Sequence, residues 1–299
     1  MGLDIHSAQF LLNQKRRGVL FGRVLTLGRQ AVYMPASRYL SHLNELGIDH
    51  RQPEYADDFF RGLGAASLDF MDASNYEGAN VVHDLNQPIE AHLAESYDCV
   101  FDGGALEHVF NFPTALKNCM QMVKPGGHLI IITTWNNYAG HGFYQFSPEL
   151  FYSALSIENG YVVEQMLVVQ RNRWYSVANP REVGSRIELI NSEPTLLFLT
   201  AKRVANKPIF AAWPQQSDYS AIWSPSKSPQ NQPPSGACLK GSLLKKSAAL
   251  QALQKHWRAR KHRKFSSVSN RQNFQPVELG DFSTSVPKRQ FSLGAPTGK

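Results

Sequence analysis

Residues 97–135 read YDCVFDGGALEHVFNFPTALKNCMQMVKPGGHLIIITTW, and this stretch decides the fold. The apolar run Cys99, Val100 and Phe101 stops at Asp102 and two glycines. A helical pattern follows, with Leu106, Val109, Phe112, Leu116, Met120 and Val123 at three- and four-residue spacing. Pro125-Gly126-Gly127 breaks it, and residues 129–132 are apolar without alternation, as in a strand covered on both faces. The stretch therefore reads as strand, helix, tight turn, strand. A carboxylate with glycines at the C-terminal end of a buried strand stands where an open α/β sheet holds its ligands.

Working outward, residues 5–16 suit a helix carrying Ile5, Ala8, Leu11 and Leu12 and ending before Gly18. Residues 23–28 form a short strand ending in Gly28. Residues 35–46 suit a helix with Pro35 near its first turn and Gly47 past its end. A short helix lies within 55–63, and strands at 66–70 and 79–83 each run into a carboxylate, Asp72 and Asp84. Past the central unit, residues 136–146 form a Gly, Asn and aromatic loop, and Ser147-Pro148-Glu149 opens a helix that Gly160 ends. Residues 161–170 and 195–201 are β-rich, with a long polar segment between them. Alternating strands and helices followed by two further strands predict a doubly wound, mostly parallel α/β sheet.

Charge divides the 299 residues unequally. Residues 1–204 hold 16 of the 31 Lys and Arg and 21 of the 24 Asp and Glu, so the basic surplus belongs to residues 205–299. This predicts an α/β domain over 1–204 and a low-complexity basic tail over 205–299. Ser, Pro and Gln dominate 213–237 and few apolar residues occur over 266–299, so both segments are expected to be disordered. Between them, residues 242–265 suit an amphipathic helix with a Leu243, Leu250, Leu253 and Trp257 stripe among many Lys and Arg. That helix reads as a solvated face, an anionic membrane-surface anchor, or a phosphate or nucleic-acid contact. The leucine stripe and Trp257 favour a membrane surface or a phosphorylated substrate over nucleic acid.

Three cysteines suit a reduced, cytoplasmic protein, peripheral at most to the inner membrane, better than a disulfide framework or a zinc site, and no metal ligands are assigned. No apolar stretch approaches the ~20 residues that span a bilayer. A nicotinamide-dependent dehydrogenase is disfavoured because no G-x-G-x-x-G follows the first strand.

The run Asp102-Gly103-Gly104-Ala105-Leu106-Glu107-His108-Val109, followed by Leu116, Val123 and Lys124-Pro125-Gly126-Gly127, resembles the class I S-adenosylmethionine-dependent methyltransferases, particularly small-molecule and saccharide-modifying ones. The resemblance covers about residues 20–204. It implies a seven-stranded Rossmann-like methyltransferase fold, S-adenosylmethionine as cofactor, and a small-molecule or saccharide acceptor, with polysaccharide biosynthesis as one setting. It places Gly28 against the methionine moiety, Asp69 or Asp72 at the ribose, and Asp84 with Leu85 at the adenine edge. Asp102, Gly103 and Leu106 would form the inner wall. Strand alternation does not choose between Asp69 and Asp72, and Asp72 is taken.

The first loop departs from the family, with Gly28 alone where two or three glycines are usual. Arg29 follows, either clashing with the cofactor or pairing with its carboxylate. That departure motivates an alternative, a non-catalytic methyltransferase-fold scaffold whose tail binds a membrane or partner. On the acceptor side, His141 in the glycine-flanked loop and His108 beside the buried helix face are the candidate bases.

Overall fold

The computed structural model describes residues 2–48, 54–217 and 264–279. The elements run β1 (Gly2–Leu3), α1 (Ile5–Arg16), β2 (Gly22–Leu27), β3 (Ala31–Val32), α2 (Ala36–Glu45), α3 (Asp57–Leu63), β4 (Ala65–Asp72), β5 (Val81–Val82) and β6 (Tyr97–Asp102). They continue α4 (Phe112–Met122), β7 (Val123–Asn136), α5 (Pro148–Ala154), β8 (Tyr161–Gln170), β9 (Arg173–Val177), α6 (Pro180–Val183), β10 (Thr195–Arg203) and β11 (Phe274–Val277). Among the described residues, nine strands form one sheet in the order β5-β4-β2-β6-β7-β10-β8-β9-β11. From β5 to β7 the neighbours are parallel, and from β7 outward every pair is antiparallel.

Successive residues of the central strands serve opposite cores. Val24, Cys99, Phe101 and Ile130 pack with Phe10 and Leu11 of α1, Tyr39 and Leu43 of α2, and Phe59 and Phe60 of α3. Leu25, Val100, Leu129 and Ile131 pack with Leu116, Cys119 and Met120 of α4 and with Phe151 of α5. Two helical layers thus cover the sheet, which is why its inner strands read as unbroken apolar runs.

The helix expected from Leu106 begins later. Leu106–His108 makes one 3₁₀ turn, Val109 is extended, and α4 starts at Phe112 with Pro113 in its first turn. A proline has no N–H and clashes with the preceding turn, so the periodic pattern cannot run through it as one helix.

Beyond the seven strands implied by the resemblance, β9 and β11 extend the sheet. The polar segment after β8 turns back as β9 and buries Trp174 against Phe10 and Phe198, at 6.4 and 4.9 Å between ring centroids. The expectation that residues from 266 onward lack packed structure is corrected over 266–279. Phe274 of β11 is fully buried and stacks on Trp135 at 6.1 Å, and Ile190 N–H donates to Ser266 O. One aromatic at a strand position carries this anchoring, and a compositional reading averages it away. The predicted basic helix at 242–265 lies outside the described residues save for its last two. Among the described residues, no helix is long and apolar enough to cross a membrane.

If β11 belongs to the fold, Phe274→Ala should cost about 3–5 kcal/mol in urea unfolding of the full chain. A change within about 0.5 kcal/mol, the range of an ordinary surface substitution, would show that the segment does not anchor.

Candidate functional site

The ends of the parallel strands meet on one level. Leu27 sits opposite Met71 on one side and Asp102 on the other, so Gly28, Asp72 and Gly103 emerge together at the C-terminal edge of the sheet. Asp69 lies three residues back along β4, opposite Leu25, and its carboxylate accepts from Arg23 at 3.0 Å and from Asn80 Nδ2 at 2.7 Å. Asp69 is therefore committed to structure, whereas Asp72 stands at the strand end, half-buried, with Oδ1 accepting only the local N–H of Ala73.

Gly28 adopts φ +69°, a left-handed backbone that glycine enters without strain. Its N–H donates to Met71 O at 2.7 Å, and its carbonyl accepts from Thr26 Oγ1 and Gln30 Nε2. Gln30 is buried and also donates to Leu27 O, while its Oε1 has no partner among the described residues and occupies the space a Cβ on Gly103 would need. Arg29, named from the sequence as a cofactor contact, is held elsewhere. Its guanidinium donates to both Asp57 oxygens at 2.6 and 3.3 Å and to Glu77 O, over the rings of Tyr55 and Phe70 at 4.2 and 5.1 Å. The Asp57 hydrogen bonds hold the Arg29 cation even more firmly protonated than usual.

Asp84 is exposed and Leu85 half-buried. Asp84 Oδ1 accepts from the backbone and side-chain N–H groups of Asn86, which lowers its pKa and builds an Asx turn. Asn118 of α4 donates to the carbonyls of Leu85 and Gln87, and Asn111 donates its backbone N–H to Asn86 Oδ1 and its side-chain Nδ2 to Asn86 O, so this loop is pinned to the start of α4.

Asp102 is fully buried at the end of β6. Oδ1 accepts from the N–H groups of Gly104 and Ala105 at 3.1 and 2.6 Å, and Oδ2 is buried without a partner among the described residues. Burial first, and then the charge of Glu107, push this carboxyl well above its ordinary pKa. The turn it closes carries Leu106, fully buried in the core that α4 covers, followed by Glu107, also buried. Glu107 Oε2 accepts from Thr133 Oγ1 at 2.8 Å, and Oε1 faces His141 Nε2 at 3.8 Å. Burial raises the Glu107 pKa as well.

The loop over residues 137–146 folds onto this turn. Phe143 and Tyr144 donate their N–H groups to Glu107 O, and Tyr144 Oη donates to Phe110 O. The two candidate bases are thereby brought together, with the rings of His108 and His141 at 5.0 Å and Tyr138 at 5.5 Å from His141. Glu107, Thr133 and Gln30 were not singled out from the sequence as site residues. A charged residue between the apolar Leu106 and Val109, and hydroxyls immediately after the apolar strand run, were the available signals.

Comparison with known proteins bears on the domain that carries this arrangement. The methyltransferase domain family matches residues 66–131, which span β4 to the middle of β7. Residues 66–131 thus match a methyltransferase domain, and the strand order around them is of the class I methyltransferase type. The chain is 29% identical over 127 residues to a ubiquinone biosynthesis O-methyltransferase from Cronobacter sakazakii, a match spanning 41% of this chain and 47% of that relative's length. Among solved structures it is similar to 1,6-didemethyltoxoflavin-N1-methyltransferase from Burkholderia thailandensis. That likeness has 15% identity and a TM-score of 0.39, covering 66% of this chain and 77% of the other. The N-methyltransferase NodS from Bradyrhizobium japonicum WM9 is 13% identical with a TM-score of 0.38, covering 66% and 94% respectively.

Two outcomes test this geometry. Gly103→Ala should cost about 1–3 kcal/mol, because Gln30 must give up its bonds to the Leu27 and Gly28 carbonyls to make room, and adding Gln30→Ala should recover part of that loss. Strictly additive urea data from the single and double variants would dismiss the collision. For Asp102, the raised folded-state pKa means that the unfolded chain loses this proton first as pH rises. Its contribution to stability must therefore fall from near the ordinary carboxylate value of 3.8 upward, through the folded value. Asp102→Asn keeps an acceptor but cannot ionise, so the urea midpoint of the variant should gain on that of the parent as pH rises above about 4. Parallel pH profiles would refute the shift.

Proposed function

We propose that the chain transfers the methyl group of S-adenosylmethionine to an oxygen of a small molecule, with sugars among the acceptors. One observation carries this reading. Gly28, Asp72, Asp102 and Gly103 share one edge of the sheet, and the Glu107, His108 and His141 cluster adjoins it through the turn that Asp102 begins.

The residues present suit the cofactor. Asp72 keeps acceptor capacity at a strand end for a ribose diol, and the open left-handed Gly28 leaves room for backbone approach. The unpartnered Asp102 Oδ2 is a buried acceptor waiting for a donor. Asp84 uses one oxygen in its turn, so of the pair assigned to the adenine edge its second oxygen remains available, while the Leu85 carbonyl accepts from Asn118. S-adenosylmethionine supplies an already activated methyl group, so this chain's own part is to place the acceptor oxygen in line and handle its proton. The histidine cluster is suited to the second task, and the loop over residues 137–146 to the first.

The saccharide acceptor and a place in polysaccharide biosynthesis draw their support from the sequence pattern around Asp102. The scaffold alternative was motivated by Arg29, and it loses that motive because the guanidinium is held by Asp57.

Calorimetry with S-adenosylhomocysteine should show one site per chain, and Asp72→Ala should weaken it about tenfold or more, as expected for losing hydrogen bonds to a charged group. No heat at millimolar ligand with folded protein would sink the reading.

A further inference from the structure

We infer that Glu107, His108 and His141 bind one divalent cation of the transition-metal type, a refinement of the acceptor side that rests on the methyltransferase reading. One ligand atom from each residue lies within 4.8 Å of the other two. One carboxylate with two imidazoles is a donor set suited to zinc, manganese or ferrous iron rather than calcium, and three protein ligands leave coordination positions open.

Three features shape this cluster as a site. The first is the orientation of Glu107. Its Oε2 is held by Thr133 Oγ1 at 2.8 Å, deep in the molecule, which leaves Oε1 aimed at His141. Such an outer hydrogen bond is how proteins fix a ligating carboxylate.

The second is the unbalanced charge. Glu107 is 1% exposed, and His141 Nε2, which faces it at 3.8 Å, stands beyond hydrogen-bonding distance. A buried carboxylate needs a close opposite charge, and a cation between the three side chains supplies it.

The third is the approach of the loop. A Cβ on Gly142 would lie 2.8 Å from Glu107 O and 3.3 Å from His108 Nδ1, so a glycine is what lets this loop bring His141 down beside Glu107.

The present spacing is slightly open. Metal–nitrogen bonds of about 2.0–2.1 Å in a tetrahedral site put ligand atoms roughly 3.4 Å apart. The cluster must therefore contract by about 1 Å or a little more, and both histidines are exposed and free to rotate. An acceptor hydroxyl on such a cation would release its proton to solvent nearer neutral pH.

Metal-stripped full-length protein should be titrated with Mn²⁺, following the free ion by electron paramagnetic resonance, and with Zn²⁺ by calorimetry. Saturable binding of one equivalent is expected. The double variant His108→Ala, His141→Ala changes only exposed side chains and, by removing two of the three protein ligands, should weaken it by more than about 100-fold, the upper end of the loss seen when an outer partner of a ligand is removed. S-adenosylhomocysteine affinity measured on the same samples should stay within about threefold of the parent. Two results overturn the site: no saturable binding of either ion up to millimolar concentration, or equal binding by the double variant. Loss of S-adenosylhomocysteine binding in the parent would instead count against the methyltransferase reading, while the metal titration still decides the cation.

Discussion

The Asp102 carboxylate, accepting two backbone N–H groups at the end of a buried strand, sets the geometry on which the candidate site depends. Without that acceptor the N–H groups of Gly104 and Ala105 would be orphaned where the chain leaves the sheet, and nothing would fix its direction. With it, the chain turns into the Leu106–His108 3₁₀ turn, which sends Leu106 into the core and Glu107 beneath the next loop. The Glu107 carbonyl then becomes the post on which Phe143 and Tyr144 hang. One strand-end carboxylate thus positions both the cofactor edge and the acceptor loop, although residues 102 and 141 are far apart in the chain.

This construction is expensive. Two carboxylates are buried close together in one strand-to-helix connection, one oxygen of Asp102 has no partner among the described residues, and the charge of Glu107 raises the cost of ionising Asp102. A domain selected for stability alone would replace such a pair with apolar side chains at little loss. Its persistence at the C-terminal edge of a parallel sheet, where ligands dock, fits the pattern in which local rules are broken at functional positions and compensated elsewhere. The compensation is visible in the two apolar layers whose cores sandwich β2, β6 and β7.

What the sequence disclosed and what it hid follow from the range of the forces involved. Continuous apolar runs reveal doubly covered strands, so β2, β6, β7, β8 and β10 were legible from local pattern. The strands β9 and β11 were not, because each is short and polar and owes its place to one or two aromatics, Trp174 and Phe274, meeting distant partners. Pro113 carried the information that delays α4, but the periodicity of the surrounding apolar residues masked it. Among site residues, the strand-end positions of Gly28, Asp72 and Asp102 were readable as motif. The company of His108 and His141 was not, since it arises only when the Gly142 loop closes over Glu107, and Asp69 differed from Asp72 only through Arg23 and Asn80.

The single glycine of the first loop is the remaining departure, and the packing gives a physical reason for it. Several glycines are needed where a loop stays close to its ligand over successive residues, because every Cβ would intrude. Here the backbone makes its left-handed turn at Gly28 and then diverges. Asp57 draws Arg29 toward α3, and Gln30 folds inward to satisfy the Leu27 and Gly28 carbonyls with its side-chain amide. A side-chain donor therefore stabilises a conformation that further glycines would merely permit. The close approach to Gly103 follows directly, since the Gln30 amide lies where a β-carbon at Gly103 would stand. Gly103 and Gln30 thus act as one unit, and the glycine that the first loop lacks is required instead at the end of the neighbouring strand.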